Sequence, residues 1–108
     1  MHPDPAEPAP LPAFAGRVID LVDTIPSGRV LSYGDVAELL EYGGPRQVGQ
    51  VMSRYGSATS WWRVVRADGR LPQGHEAEAR ARHLAEGTPL TSRGVDMRRA
   101  RWDGVGGS

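Results

Sequence analysis

The chain contains neither cysteine nor lysine among its 108 residues. Without cysteine it has no disulfide bond, no thiolate metal ligand and no thiol nucleophile. Every basic side chain is therefore arginine, whose planar guanidinium contacts phosphates and stacks on bases, although this bias is equally typical of a GC-rich genome. No zinc motif and no phosphate-binding glycine loop occurs, so we expect no metal and no cofactor. No apolar run approaches the ~20 residues of a membrane span.

The distribution of charge is more informative than its total, which is zero. Residues 1–42 carry two Arg against seven Asp or Glu, a balance of −5, and residues 43–108 carry eleven Arg against six, a balance of +5. A basic segment of this kind favours a nucleic-acid partner. The acidic, proline-rich start does not resemble a signal peptide, so we expect a cytoplasmic, nucleoid-associated protein.

The length fits one small domain with one modest core. Five prolines in the first twelve residues predict a disordered, extended tail over residues 1–12. The glycine-rich end predicts a flexible tail over residues 103–108. We therefore expect a monomeric working domain over residues 13–102.

Three helices are predicted in the first half of the domain. Apolar residues recur at helical spacing over residues 11–25 and predict one amphipathic helix. Ser32 is a good N-cap with Asp35 three residues later, which predicts a second helix over residues 33–41. Two glycines then end this helix, and Pro45 suits the first turn of a third helix that ends near Arg54. The last two helices predict a helix-turn-helix.

The second half predicts a short hairpin and one more helix. Aromatic and β-branched residues predict a strand over 61–66, a turn over 67–69 and a return strand at 70–71, which together form a wing. Residues 75–86 predict an exposed helix that ends at Gly87. The segment 89–102 is expected to pack back through Leu90, Val95, Met97 and Trp102. The predicted fold is mainly α, a winged helix-turn-helix-like DNA-binding domain with a short β-hairpin wing.

Four motifs in order resemble one known family. They lie in residues 28–35 (GRVLSYGD), 46–49 (RQVG), 62–69 (WRVVRADG) and 84–87 (LAEG). Together they resemble the DNA-binding domain of the O6-alkylguanine-DNA alkyltransferases, which move an alkyl group from guanine onto a cysteine. Trp61 stands at the position of that cysteine, so the chain is similar to the alkyltransferase-like branch, which carries tryptophan there. The resemblance implies a non-enzymatic protein.

The resemblance also implies which residues contact DNA. Arg46 corresponds to an arginine finger that enters the duplex and fills the gap left by an extruded nucleotide. Tyr33 corresponds to a tyrosine that pushes on the neighbouring phosphate. Gln47, Gly49 and Ser53 complete the expected DNA surface, which meets the minor groove. From the residues alone, the alternative for Arg46 is a phosphate contact or a solvated side chain, and the alternative for Tyr33 is a ring packed on the core.

A lesion pocket is implied next to the helix-turn-helix. Trp61 is expected to lie against the alkyl group, with Trp62, Val64 and Val65 completing the pocket beside Tyr33. The alternative for Trp61 is a buried strand residue without a ligand. Members of the branch use a basic residue after the wing, and Arg70 is the nearest candidate because Gln73 and Gly74 stand at the matching positions. The usual Pro and His of the motif are replaced here by Ser60 and Trp62.

The expected function is recognition of O6-alkylguanine in double-stranded DNA by base flipping. The resemblance implies that nucleotide excision repair proteins then read the bound complex. One alternative is a winged helix-turn-helix transcriptional regulator that reads sequence in the major groove. A second is an enzyme of different chemistry, such as a glycosylase, although only Asp68 lies near the pocket motif as a candidate acid.

Overall fold

A computed structural model describes residues 12–105, and they form a mainly helical fold. The elements are α1 (Pro12–Thr24), β1 (Leu31–Ser32), α2 (Tyr33–Leu40), α3 (Pro45–Tyr55), 3-10 turns at Gly56–Ala58 and Trp61–Arg63, β2 (Val64–Val65), α4 (Glu76–Glu86) and α5 (Met97–Ala100). The predicted mainly α fold is confirmed. Of the two predicted tails, residues 1–11 and 106–108 lie outside the described residues, and Pro12 is the first residue of α1 rather than the last of a tail.

Local sequence signals account for the helix-turn-helix. The Ser32 hydroxyl accepts a bond of 3.0 Å from the Asp35 N–H, and the Asp35 carboxylate accepts one of 2.9 Å from the Ser32 N–H, so the predicted capping box begins α2. The helix ends at Glu41, which takes the left-handed conformation with φ of 55°. Pro45 begins α3 as predicted, and the Gln47 side chain accepts a bond of 2.9 Å from the Gly44 N–H.

The small sheet is present, but it is not the predicted hairpin. Residues 61–63 form a 3-10 turn, and β2 pairs in parallel with β1, with Leu31 opposite Val64. Both Val64 and Val65 are fully buried, which suits a parallel pair covered on both faces rather than a wing with one face in solvent. The turn over residues 66–70 is closed by a bond of 3.0 Å from the Arg66 N–H to the Arg70 carbonyl, but residues 70–71 are not a strand, and the Val95 N–H donates to the Gly69 carbonyl at 2.8 Å.

The two valines of β2 point into two separate apolar clusters, because successive strand side chains alternate between faces. Val64 belongs to the cluster formed by α1, α2 and α3. Val65 belongs to a second cluster with Val30, Leu71, Ala79, Val95 and Ala100. The prediction that Leu90, Val95, Met97 and Trp102 pack back onto the domain is confirmed: Trp102 contacts the first cluster and the other three join the second.

Helix α4 carries the remaining predicted features. It ends at Gly87, whose φ of 74° is the left-handed conformation that glycine adopts most easily. Its apolar contacts are few, with Ala79 and His83 buried and most other positions exposed. Within the described part of the chain, no helix has both the length and the apolar character needed to cross a membrane.

Candidate functional site

A cavity of about 550 Å³ lies between α3, the segment that follows it, and the start of α4. It is lined by Tyr33, Gly49, Met52, Ser53, Gly56, Ser57, Trp61, Pro72, Gln73, His75, Glu78 and Arg82. The wall combines aromatic rings with hydroxyl, amide and charged groups. A cavity of this size and mixed character is typical of a site for a small molecule or a single base.

Trp61 supplies the largest aromatic surface of this wall. It begins the 3-10 turn and is partly exposed. Its ring meets Trp62 edge-on at 5.8 Å between ring centres and His75 at 5.7 Å. Edge-to-face contacts hold an aromatic ring in a defined orientation. The free part of the indole therefore presents a flat, apolar surface to the cavity.

The position of Trp61 depends on a buried polar network centred on Glu86. Its carboxylate accepts bonds from the Arg63 guanidinium at 2.6 Å, the Trp62 indole N–H at 2.9 Å and the Gly28 N–H at 3.1 Å. Arg63 also donates to the Ile25 carbonyl at 2.9 Å. The network ties the turn that carries Trp61, the end of α1 and α4 to one another. An exposed helix over residues 75–86 would place Glu86 in solvent, paired with an arginine; the pair with Arg63 is present, but it is largely buried, and the structure corrects the expected exposure.

His83 completes the support of the turn. It is fully buried, with one ring nitrogen 2.7 Å from the Trp62 carbonyl oxygen and the other 2.9 Å from the Thr88 hydroxyl. Because a carbonyl only accepts, the Nε2 atom carries the proton and Nδ1 accepts from Thr88. Burial lowers the pKa of His83 against the opposing effect of the bond to the Trp62 carbonyl. The ring is therefore neutral near pH 7.

The electrostatics of Glu86 fit this structural role. Burial raises the pKa of its carboxyl, but the bonds from Arg63, Gly28 and Trp62 more than reverse that effect, and the net pKa lies below its ordinary value. Glu86 is thus ionised at neutral pH and remains paired with Arg63, whose side chain is only 15% exposed. These groups hold the turn in place and do not line the cavity.

A shallower groove of about 380 Å³ adjoins the cavity along α3. Its lining residues are Tyr33, Pro45, Arg46, Gly49, Arg66, Pro72 and Gln73. Four of them also line the cavity, so the two depressions are continuous. Burial raises the pKa of Tyr33 while the charge of Arg66 acts in the opposite direction, so the phenol is neutral at pH 7. Arg46 is exposed in the first turn of α3.

The predicted DNA-contacting residues come together around these two depressions. Tyr33 and Gly49 line both, Ser53 lines the cavity, and Arg46 lines the groove. Gln47 is the exception because its side chain caps the start of α3 instead.

The predicted pocket set is larger than the set that lines the cavity. Trp61 and Tyr33 line it, whereas Val64 and Val65 are fully buried in the two apolar clusters. Trp62 turns its indole N–H to Glu86 instead. Arg70 lines a different depression and pairs with Asp68 at 3.3 Å.

Several cavity residues were not identified from the sequence. The most important is Arg82, because it places a positive charge in the lining of the cavity that also contains Gln73. Its guanidinium lies 4.7 Å from the centre of the Trp62 ring and 3.8 Å from Glu78, four residues earlier on α4. His75 was also missed. The four-residue spacing of Glu78 and Arg82 indicates only an exposed ion pair on one helix, and no local signal connects it with Trp61.

Comparison with known proteins identifies the family. The family model described as 6-O-methylguanine DNA methyltransferase, DNA binding domain, matches residues 13–87. A DNA base-flipping protein of Escherichia coli is 40% identical over 99 residues, covering 84% of this chain and 75% of that protein. A DNA base-flipping protein of Vibrio parahaemolyticus is 28% identical over 95 residues, covering 82% of this chain and 95% of that protein.

Two solved structures share the fold. Atl1 of S. pombe in complex with damaged DNA containing O6-carboxymethylguanine superposes with a TM-score of 0.73 at 28% identity, covering 84% of this chain and 95% of that chain. S. pombe ATL in complex with DNA gives a TM-score of 0.72 at the same identity and coverage. The chain thus belongs to the family defined by the DNA-binding domain of 6-O-methylguanine DNA methyltransferase.

Proposed function

We propose that this protein binds O6-alkylguanine in double-stranded DNA, rotates the modified nucleotide out of the duplex and holds it against Trp61 without removing the alkyl group. The observation that carries the proposal is the continuity between the Trp61 cavity and the groove that contains Arg46. The Trp61 cavity has the size and lining that suit a base, and the groove lies along α3, the second helix of the helix-turn-helix. Relatives named DNA base-flipping proteins support the same reading.

The groove residues suit the work of extrusion. A planar guanidinium at Arg46 can occupy the space of a departed base, stack between its neighbours and bond the orphaned partner. The neutral phenol of Tyr33 sits where the groove meets the cavity, so it can press on the backbone beside the flipped nucleotide without repelling a phosphate. Unstacking and unpairing a base costs on the order of a few kcal/mol, and these two contacts offset part of that cost.

The cavity suits capture rather than transfer. The chain has no cysteine, and the indole of Trp61 is a poor nucleophile at neutral pH compared with a thiolate. Its flat face instead offers apolar contact to an alkylated base. The bound complex then acts as a flag, and we propose that nucleotide excision repair proteins in the cytoplasm respond to it.

Gln47 weighs against the alternative of a transcriptional regulator. A regulator of this fold reads base edges with side chains near the start of its second helix. Here the carbonyl oxygen of Gln47 accepts the Gly44 N–H at 2.9 Å, so this oxygen is used in the helix cap. The Gln47 oxygen is therefore not free to read a base edge at the start of α3, which reduces the groups that a sequence-reading regulator would use there.

The proposal is tested by titrating a duplex that contains O6-methylguanine and its unmodified twin, with 2-aminopurine beside the lesion. We expect tighter binding of the lesion duplex and a rise in fluorescence as the neighbouring base unstacks. Arg46→Ala should reduce both, and Arg46→Lys should rescue poorly because an ammonium does not stack. Arg54→Ala is the matched control, since it removes an exposed arginine of α3 that lines neither depression.

Two results would contradict the proposal. Equal affinity for both duplexes would remove lesion recognition, and full rescue by Arg46→Lys would reduce Arg46 to a phosphate contact. The absence of transfer is checked separately by intact mass after incubation with the lesion duplex. A gain of one methylene in the protein mass would refute non-enzymatic binding.

A further inference from the structure

A third depression, of about 580 Å³, lies on the far side of Arg66 and is strongly basic. It is lined by Arg66, Arg70, Leu71, Gln73, Glu76, Ala77, Arg80, Ser92 and Arg93. Four arginines therefore face one glutamate in this basic cavity. Gathering like charges on one surface is unfavourable unless an anion neutralises them.

The basic cavity is assembled from three separate parts of the chain. Arg66 and Arg70 flank the turn after β2, Arg80 belongs to α4, and Arg93 lies in the loop before α5. This loop is ordered by internal bonds, and the Arg80 guanidinium donates to the Thr91 carbonyl at 3.3 Å. Separate elements thus converge on one face.

The acidic groups nearby leave a surplus of positive charge. Asp68 pairs with Arg70 at 3.3 Å, and both side chains are more than half exposed, so this pair is weak and easily exchanged for another anion. Glu76 uses one oxygen to accept the Gly74 N–H at 3.0 Å. Among the described residues, no ion pair joins Arg66 or Arg93 to a carboxylate.

The basic cavity is continuous with the surface assigned to DNA. Arg66 lines both this cavity and the groove that contains Arg46, and Gln73 lines all three depressions. The three depressions therefore meet at Gln73, and the groove and the basic cavity also share Arg66. A polyanion that enters the groove can therefore continue into the basic cavity.

We propose that the basic cavity binds backbone phosphates of the DNA that flanks the lesion and so forms a second anchor outside the helix-turn-helix. This inference rests on the proposed function for the identity of the polyanion. Guanidinium groups bind phosphate oxygens through two parallel bonds, and each neutralised phosphate releases counterions. The anchor contributes affinity but no lesion preference, because the flanking backbone is the same in damaged and normal DNA.

The test removes Arg80 and Arg93, which lie outside the α3 groove and, unlike Arg70, form no ion pair with a carboxylate among the described residues. Affinity for lesion and unmodified duplexes is measured against salt concentration for Arg80→Gln, Arg93→Gln and the double variant. The slope of log affinity against log salt should fall by about 0.9 for each lost phosphate contact. The ratio of the two affinities should stay constant. Arg98→Gln is the control, because Arg98 is exposed on α5 and lines none of the three depressions.

Further variants separate charge from fold. Arg80→Lys and Arg93→Lys should keep most of the salt slope, because an ammonium also neutralises a phosphate. Thermal unfolding of each variant establishes that the domain is intact. The same affinities are measured with duplexes shortened on either side of the lesion. Once the flanking phosphates that the basic cavity contacts are removed, the wild type and the double variant should bind with equal affinity.

The possible results divide clearly. An unchanged slope of log affinity against log salt in the double variant would overturn the anchor and would indicate that the cavity binds an acidic protein partner instead. An equal fall in slope for Arg98→Gln would also overturn it. A lost affinity ratio with an unchanged slope would also overturn it, because the cavity would then take part in lesion reading. A wild type without lesion preference, but with the expected fall in slope, would refute the proposed function and leave the DNA anchor standing.

Discussion

Replacing Glu86 with alanine should cost more stability than any other single loss of charge on α4. The change leaves the Arg63 guanidinium, the Trp62 indole N–H and the Gly28 N–H without their shared acceptor. Removing one partner of a buried ion pair costs about 3–5 kcal/mol. Because the two side chains are 15% and 12% exposed, water relieves part of this, and we expect about 3 kcal/mol. That is a large share of the roughly 5–15 kcal/mol that keeps a small domain folded.

The loss of stability is measured by urea unfolding, with tryptophan fluorescence as the probe. The same loss should lower Tm by about 12–24 °C, at roughly 4–8 °C per kcal/mol. Glu78→Ala is the matched control, because it removes an exposed ion pair with Arg82 on the same helix and should cost about 0–1 kcal/mol. In a double-mutant cycle, Arg63→Ala should cost much less once Glu86 is absent. Equal losses for Glu86→Ala and Glu78→Ala would refute the buried network.

Two further predictions concern stability. Ser32→Ala removes the side-chain cap of α2 and should lower the free energy of unfolding by about 1 kcal/mol. Ser27→Ala, at an exposed turn position, should leave it unchanged, and equal effects of the two changes would remove the cap as the cause. The pKa of His83 is lowered from 6.5. The stability that its neutral ring contributes is therefore complete above pH 6.5 and is lost as the pH falls through the folded-state pKa. His83→Gln should flatten this acid-side loss in chemical unfolding, whereas His75→Gln should not, and a wild-type stability that stays constant below pH 6.5 would contradict the assignment.

Local chemistry allowed the helices to be predicted closely. The capping pair of Ser32 and Asp35, the proline that begins α3 and the glycine that ends α4 act within one turn of the chain, so the sequence contains the whole signal. The apolar spacing of α1 is similarly local. Each of these features lies where it was predicted.

Interactions between distant segments explain what was not predicted. Residues 61–63 have the aromatic character of a strand, yet they form a 3-10 turn. In this turn Trp62 and Arg63 donate hydrogen bonds to Glu86, which lies more than twenty residues later in the chain. Helix α4 is rich in Ala, Glu and Arg, a composition that predicts a solvated helix, because the partners of Glu86 lie in a distant segment. Its buried acid is identified only when its partners are known. Arg82 was missed as a cavity residue because helical spacing does not indicate which neighbour a helix faces.

The parallel pairing of β1 with β2 explains why the groove has its present composition. The register sets Ser32 opposite Val65, so the next residues, Tyr33 and Arg66, leave the two strands side by side at the same end. Both line the groove on α3, and the charge of Arg66 acts on the phenol of Tyr33. The Arg66 N–H also donates to the Arg70 carbonyl at 3.0 Å, so the turn that follows β2 holds the backbone of Arg66 at this end of the sheet. The parallel pairing thus brings a guanidinium to the tyrosine beside the cavity, and the same Arg66 side chain also lines the basic cavity.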